Sequence, residues 1–552
     1  MKFKYTVHKA QIITNKNKKL KWDHDKILDY VNILSSDDVT SKFINVFESM
    51  DLSPTADDVD NMVTRFTDVL STVAEPLFSV NVHSSYSRTA FNNCQPVWMT
   101  DECLRLRMEY SRCLDEFRYN NSDESRLQMV AARSLYTRHV RTCKRLYDRE
   151  YTERLISKMG SNPKEFWKLL RPCKKSNSTN IKPNDFFDYF KRISNPGNII
   201  YEADDDIYEY LRTYTEGHLD NKYTELNNCI SEIEVKHAIT ELKGGKAAGA
   251  DLLINELYIC GQDILIPKLK CLFDAVFKSS FFPDIWKKGV IVPLYKKGSV
   301  NDVDNYRGIT LLSTLGKLFT RILNNRLNFW SDTYTIISDS QSGFRKSRST
   351  VDNIFILQSL VDSSLNSNNK LYVCFIDFKK AFDHVNRDCL WYKLIKSGVR
   401  GPIFNIIKNM YCDTTSRVRF NGELSDSFEC KLGVRQGESL SPFLFNMFLN
   451  DIEVALHDGG FQGVNVGDVR LGSLLYADDL LLMASTRDDL QLGLDILHDY
   501  CSRWRLAINK EKTNIVIFRK GGQLSHDDNF FYGDSLLDIN NSYTYFLYIF
   551  GC

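Results

Sequence analysis

Two adjacent acids, Asp478 and Asp479, stand between the apolar runs Leu474-Leu475-Tyr476-Ala477 and Leu480-Leu481-Leu482-Met483. Apolar flanks of that length read as two buried strands, with the acids in the turn that joins them. Successive strand residues face opposite sides, so the two carboxylates cannot project the same way unless the turn intervenes, and one of them must face a site. A further acid, Asp377, closes the β-rich run Leu371-Tyr372-Val373-Cys374-Phe375-Ile376 and is aimed outward from a strand end. Hard divalent cations take oxygen ligands. Phosphoryl transfer clamped by two of them about 3.5–4 Å apart needs carboxylates from separate strands. Asp377 with Asp478 supplies that minimum pair, while a plain acidic hairpin turn is the other reading of residues 478 and 479 taken alone.

A third element is the loop Gly433-Val434-Arg435-Gln436-Gly437-Glu438-Ser439-Leu440-Ser441-Pro442, which runs into the apolar stretch Phe443-Leu444-Phe445-Asn446-Met447-Phe448. Gly433 and Gly437 allow close backbone approach, and Pro442 suits the first turn of a helix whose amino end favours anions. Neither this loop nor Lys243-Gly244-Gly245-Lys246 has the Walker spacing, and each by itself is also compatible with an ordinary surface loop.

Positioning these groups requires a body of strands and helices. After Ile233, helical patterns alternate with short β-rich runs such as Val290-Ile291-Val292-Pro293-Leu294 and Ile515-Val516-Ile517-Phe518, which predicts an α+β fold. The chain of 552 residues, 43% hydrophobic and 26% charged, excludes disordered, collagen-like and fibrous classes. With 71 Lys+Arg against 70 Asp+Glu, any nucleic-acid partner must be held by local basic patches. One such patch lies between Leu104 and Pro172, with 16 Lys+Arg against 9 Asp+Glu. Arg138, Arg141, Arg145 and Arg149 fall on one helical face there, which is either a solvated face or an RNA-contacting stripe. Leu104, Met108, Leu114 and Phe117, then Leu127, Val130, Leu135, Cys143 and Leu146, recur near helical spacing around the breaker Asn120-Asn121-Ser122, predicting a helical hairpin. The 14 cysteines include no C-x2-C pair, so a reduced intracellular protein is expected. No run approaches the roughly 20 apolar residues of a membrane span, so a soluble protein without a membrane partner is expected.

The order of the motifs resembles the reverse transcriptase of LINE-type, non-LTR retrotransposons of the jockey-like kind. The resemblance rests on Lys243 to Asp251 (KGGKAAGAD), Ile291 to Lys297 (IVPLYKK), Asn305 to Ser313 (NYRGITLLS), Gln341 to Thr350 (QSGFRKSRST), Phe375 to Val385 (FIDFKKAFDHV), Gly433 to Pro442 (GVRQGESLSP), Tyr476 to Asp479 (YADD) and Asn509 to Thr513 (NKEKT). It implies a right-hand polymerase, with fingers and an antiparallel palm sheet packed on helices, that extends a DNA primer with dNTPs on an RNA template. Two Mg2+ ions, with Mn2+ as a substitute, would be held by Asp377 and Asp478, with Asp479 as a supporting ligand or positioner. Phe382 would be the aromatic gate that excludes a 2′-hydroxyl, or else an ordinary core aromatic. Gln436 would contact the incoming nucleotide, Arg345 and Arg348 the triphosphate or template backbone, and Lys512 the departing pyrophosphate. Arg307, Arg435 and Gly437 would contact template or primer, with Lys296 and Lys297 as further candidates.

The implied organisation is a linker with short helices over 1–97, a basic helical hairpin region over 98–180, a helical N-terminal extension over 181–276, and fingers and palm over 277–552. Three departures from the family pattern are expected to matter. The first hundred residues show no endonuclease, Leu547 stands where the family's primer-gripping turn has glycine, and neither a thumb nor a cysteine-histidine knuckle follows the palm. A catalytically silent RNA-binding remnant is therefore the alternative expectation. Oligomeric state and a nuclear or cytoplasmic location stay open.

Overall fold

The computed structural model describes residues 18–48, 54–81, 98–161, 166–167, 170, 179–195, 204–214, 222–521, 528–546 and 548–551. Leu547 lies outside the described residues. Near the amino end, α1 (Ile27–Leu34), α2 (Asp37–Phe47) and α3 (Ala56–Phe78) follow one another. A capping box between Thr55 and Asp58 starts α3, whose Val59, Val63, Phe66 and Leu70 recur at helical spacing and are fully buried. Where the sequence suggests a linker over 1–97, this stripe instead belongs to the main core.

Residues 83–180 form a unit of their own. Its helices α4 (Asp101–Asn120) and α5 (Asp123–Ser161) make the expected hairpin, with Asn121 in the left-handed region at φ 40° between them. The apolar pattern that signals these helices is not a core. Met108, Leu127, Leu135 and Leu146 are all exposed, and the buried residues of α4 are Cys103 and Cys113.

The second unit joins 1–82 with 181–552. It contains α6 (Pro183–Ser194), α7 (Gln262–Ser279), α8 (Thr314–Thr333), α9 (Thr350–Asn366), α10 (Arg387–Lys396), α11 (Ser441–Leu449) and α12 (Arg487–Arg503). Its strands are β1 (Lys288–Tyr295), β2 (Tyr306–Leu311), β3 (Leu371–Asp377), β4 (Thr415–Phe420), β5 (Ser473–Tyr476), β6 (Asp479–Ala484), β7 (Asn514–Phe518), β8 (Asp538–Ile539), β9 (Ser542–Tyr545) and β10 (Tyr548–Gly551). Mixed helix and sheet, the α+β class, is thus the observed architecture.

The sheet that bears on function runs β5-β6-β3-β7-β8, with β6 and β7 antiparallel to β3. The central strand is apolar without interruption because both its faces are covered. Tyr372, Cys374 and Ile376 point into the main core with Leu390 of α10, Phe443 of α11 and Leu494 of α12. Leu371, Val373 and Phe375 point into a second core with Leu357 and Leu360 of α9 and Tyr545 of β9. A second sheet pairs β1 antiparallel with β2 and parallel with β4. Phe186, Tyr189 and Phe190 of α6 pack over Ile291 and Val418 there.

Candidate active site

Asp377 is the last residue of β3, and its partner across the ladder is Asp479, the first residue of β6. Directly opposed residues of an antiparallel pair present their side chains on one face, so register alone brings these two carboxylates together. The expected turn lies between β5 and β6. There Ala477 adopts φ 58°, a conformation that costs a residue with a Cβ, and Asp478 follows it.

That turn is held from outside by the segment after α8. Gln341 Oε1 accepts from the Ala477 amide at 3.0 Å and from the Gly343 amide at 2.7 Å, while Gln341 Nε2 donates to the Ala477 carbonyl at 3.4 Å. The Ser342 amide donates to the Leu475 carbonyl at 2.9 Å, and the Leu475 amide donates to the Ser340 carbonyl at 2.8 Å. Gly343 is required by this approach, since a Cβ there would lie 2.1 Å from the Ala477 nitrogen. Asn446 of α11 fixes the Gly343 carbonyl in turn, donating from Nδ2 at 2.8 Å.

Asp478 and Asp479 share a desolvated setting. Burial raises the pKa of Asp478, with repulsion from Asp377 adding to it and Arg307 and Lys296 opposing it. Asp479 is pushed up to about 6 by burial, then by Asp478 and Asp377, against Lys296. Asp478 and Asp479, buried and facing repulsion from Asp377, fit a divalent cation, which would remove both penalties. The Asn509 to Thr513 segment docks beside them. The Asn509 amide donates to the Asp377 carbonyl at 2.7 Å, the Asp377 amide donates to Thr513 Oγ1 at 3.3 Å, and Lys512 Nζ stands 3.8 Å from Asp377 Oδ2. Arg307 on β2 and Lys296 just past β1 act on Asp478, and Lys296 also on Asp479, while Lys512 stands at Asp377.

The glycine loop packs against the chain just after β3. The Gly433 amide donates to the Val385 carbonyl at 2.9 Å and the Val434 amide to the Phe382 carbonyl at 2.8 Å. Gln436 Nε2 donates to both carboxylate oxygens of Asp383, each at 3.1 Å. Burial pushes Asp383 up to about 6, opposed by Gln436, Lys380 and Arg307. Gly437, at φ 116°, lies against β2, where a Cβ would meet the Thr310 carbonyl oxygen at 2.5 Å. Phe382 is half-buried, stacked on Phe445 at 4.5 Å and edge-on to Phe344 at 6.0 Å.

Three arginines are placed differently from what their neighbourhood in the sequence suggests. Arg435 is buried, its guanidinium donating to the Trp286 carbonyl at 3.3 Å and to the Lys287 carbonyl, so it ties the loop to the entry of β1. Arg345 donates from Nη1 to the Ser338 carbonyl at 2.9 Å and the Gln341 carbonyl at 3.3 Å. Arg348 pairs with Asp339 at 2.7 Å. Both are engaged within their own loop. Sequence reasoning passes over Gln341, Gly343 and Asp383, whose partners are 53 to 136 residues away and leave no local pattern.

Residues 294–535 match the family described as "Reverse transcriptase (RNA-dependent DNA polymerase)". Over these residues the chain is similar to a reverse transcriptase domain. Among curated relatives, it is 31% identical over 288 residues to the "Probable RNA-directed DNA polymerase from transposon BS" of Drosophila melanogaster, covering 51% of this chain and 31% of that one. It is 30% identical over 292 residues to the "RNA-directed DNA polymerase from mobile element jockey" of the same species, covering 52% and 31%. The chain thus spans about a third of the length of these relatives. A solved structure described as apo telomerase from Candida tropicalis, truncated from the C-terminal domain, aligns over 48% of this chain and 55% of that one at 15% identity and a TM-score of 0.35.

Proposed function

We propose that this chain is an RNA-directed DNA polymerase that adds dNTPs to a primer 3′-hydroxyl on an RNA template. The observation that carries the reading is the placement of Asp377, Asp478 and Asp479 at the end of β3 and the β5–β6 turn, with Asp478 and Asp479 raised in pKa by burial and with Arg307, Lys296 and Lys512 as the cations acting on these acids. On this reading residues 277–552 provide palm and fingers, the palm being the sheet around β3 and the fingers the sheet of β1, β2 and β4. The three acids would hold two Mg2+ ions, whose chemistry is to neutralise the triphosphate and activate the primer hydroxyl. Arg307 and Lys296 would neutralise phosphate charge beside the acids. Lys512 would donate a proton or a charge to the departing pyrophosphate. The Gln436–Asp383 pair fixes the amide that would meet the incoming nucleotide, and Phe382 would pack against its deoxyribose.

The test is extension of a 5′-labelled DNA primer on an RNA template with Mg2+ and all four dNTPs, beside the Asp478→Ala protein. Extension lost in the variant is expected. Salt-sensitive RNA binding, unchanged by Asp478→Asn and without product even at high enzyme concentration, would replace this reading with that of a silent RNA-binding remnant.

A further inference from the structure

The α4–α5 hairpin poses a packing problem that its apolar residues do not solve. Leucines and methionines line its outside, exposed at Met108, Leu127, Leu135, Leu146 and Met159. Helices of this kind need some other staple when they cannot bury a hydrophobic face. What the two helices do enclose is a set of soft ligand atoms. Cys103 of α4 is fully buried, and its Sγ lies 3.7 Å from Cys143 Sγ of α5. His139 stands one helical turn before Cys143, on the same face of α5. A ring nitrogen of His139 and both sulfurs lie within 4.8 Å of one another. His139 Nε2 is buried with no hydrogen-bond partner, a cost that a nearby ligand would remove. The hydroxyl of Thr100 completes the setting, 3.4 Å from Cys103 Sγ and 3.9 Å from Cys143 Sγ.

We propose that Cys103, His139 and Cys143 bind a zinc ion that staples α4 to α5, with a water within reach of Thr100 Oγ1 in the fourth position. Two thiolates and one imidazole form a soft, borderline donor set that favours zinc over the hard cations suited to the carboxylates of the palm. Binding displaces one proton from each thiol to solvent, with no change of oxidation state. The sequence hides this site because its ligands share no short motif. Only the His139-x3-Cys143 pair is local, and Cys103 arrives from the other arm of the hairpin. The staple also fixes the helix that carries Arg138, Arg141, Arg145 and Arg149, all of them exposed.

The inference is independent of the polymerase reading and is tested on the full chain, purified under reducing conditions. About one tightly bound zinc per chain is expected by elemental mass spectrometry. Replacement by Co2+ should give the near-ultraviolet absorption of a thiolate–cobalt bond, which carboxylate-bound cobalt does not produce. Cys103→Ser and Cys143→Ser should each abolish that band, while His139→Cys should keep and strengthen it. A wild-type chain without zinc or band overturns the proposal. So does a band that survives Cys143→Ser, or a band lost equally in the ligand-preserving His139→Cys, which would report misfolding and not ligation. A Cys103–Cys143 disulfide found in place of metal overturns it as well.

Discussion

Six of the seven residues of β3 are buried, whereas two of the twenty residues of α4 are. In the first region, apolar alternation on two faces sets the register, and Asp377 and Asp479 inherit their positions from it. In the second, helices form with their leucines in water, and specific polar atoms decide how the two arms meet. A region built on burial should therefore answer to changes of volume, and a region built on ligand atoms should ignore them.

The largest effect is expected where register delivers chemistry. Asp478→Asn should lower primer extension by about 10²–10³-fold or more, with RNA affinity unchanged, as measured by single-turnover extension and filter binding. A milder loss would mean that Asp377 and Asp479 suffice. Next, Leu480→Ala, at a fully buried site on β6, should cost about 2–5 kcal/mol in chemical denaturation. Gly343→Ala should cost about 1–3 kcal/mol by overpacking, and should depress the rate of extension more than primer-template affinity, because the new methyl pushes the brace off the Ala477 turn.

A smaller and reversible effect should come from pH. Asp479 has a folded value of about 6 against an ordinary 3.8, so in that window the folded chain binds more protons than the unfolded one. Its contribution to stability is present below the lower value and lost as pH rises through the upper one. Thermal melts without metal should show this decline, and Mg2+ should raise the melting temperature above pH 6 but hardly near 3.8. Equal stabilisation at both ends would contradict a metal held by these carboxylates. The smallest effect belongs to the hairpin. Leu127→Ala, at a position 70% exposed, should change stability by no more than about 0.5 kcal/mol. A cost like that of Leu480→Ala would erase the contrast between the two regions.

Legibility in the sequence followed the same divide. The strand ending at Asp377 and the helix opening near Pro442 are local patterns observed where the sequence placed them, whereas the turn expected over Ala477-Asp478-Asp479 occupies Ala477 and Asp478, with Asp479 already the first residue of β6. Contacts between distant segments were not legible. The stripe of α3 looked like part of a linker because nothing nearby in the chain shows what covers it. Arg435 looked available to a template because its carbonyl partners, Trp286 and Lys287, lie far upstream. Gln341 carries no signature of a brace, since a glutamine that clamps a turn and one that faces water are the same residue in sequence. The hairpin was read correctly as two helices, yet several of the apolar positions that signalled it, Met108, Leu127, Leu135 and Leu146, stay exposed.

The pairing of Asp377 with Asp479 makes assembly and competence a single event. If β6 slipped by one residue, Asp479 would turn to the opposite face and every leucine behind it would exchange one core for the other. Such a chain would lose both its packing and its acids together. On the polymerase reading, a partly correct sheet would yield no sluggish or error-prone copyist, only an inert one, and a newly made chain would have to reach its single proper register before it could copy anything.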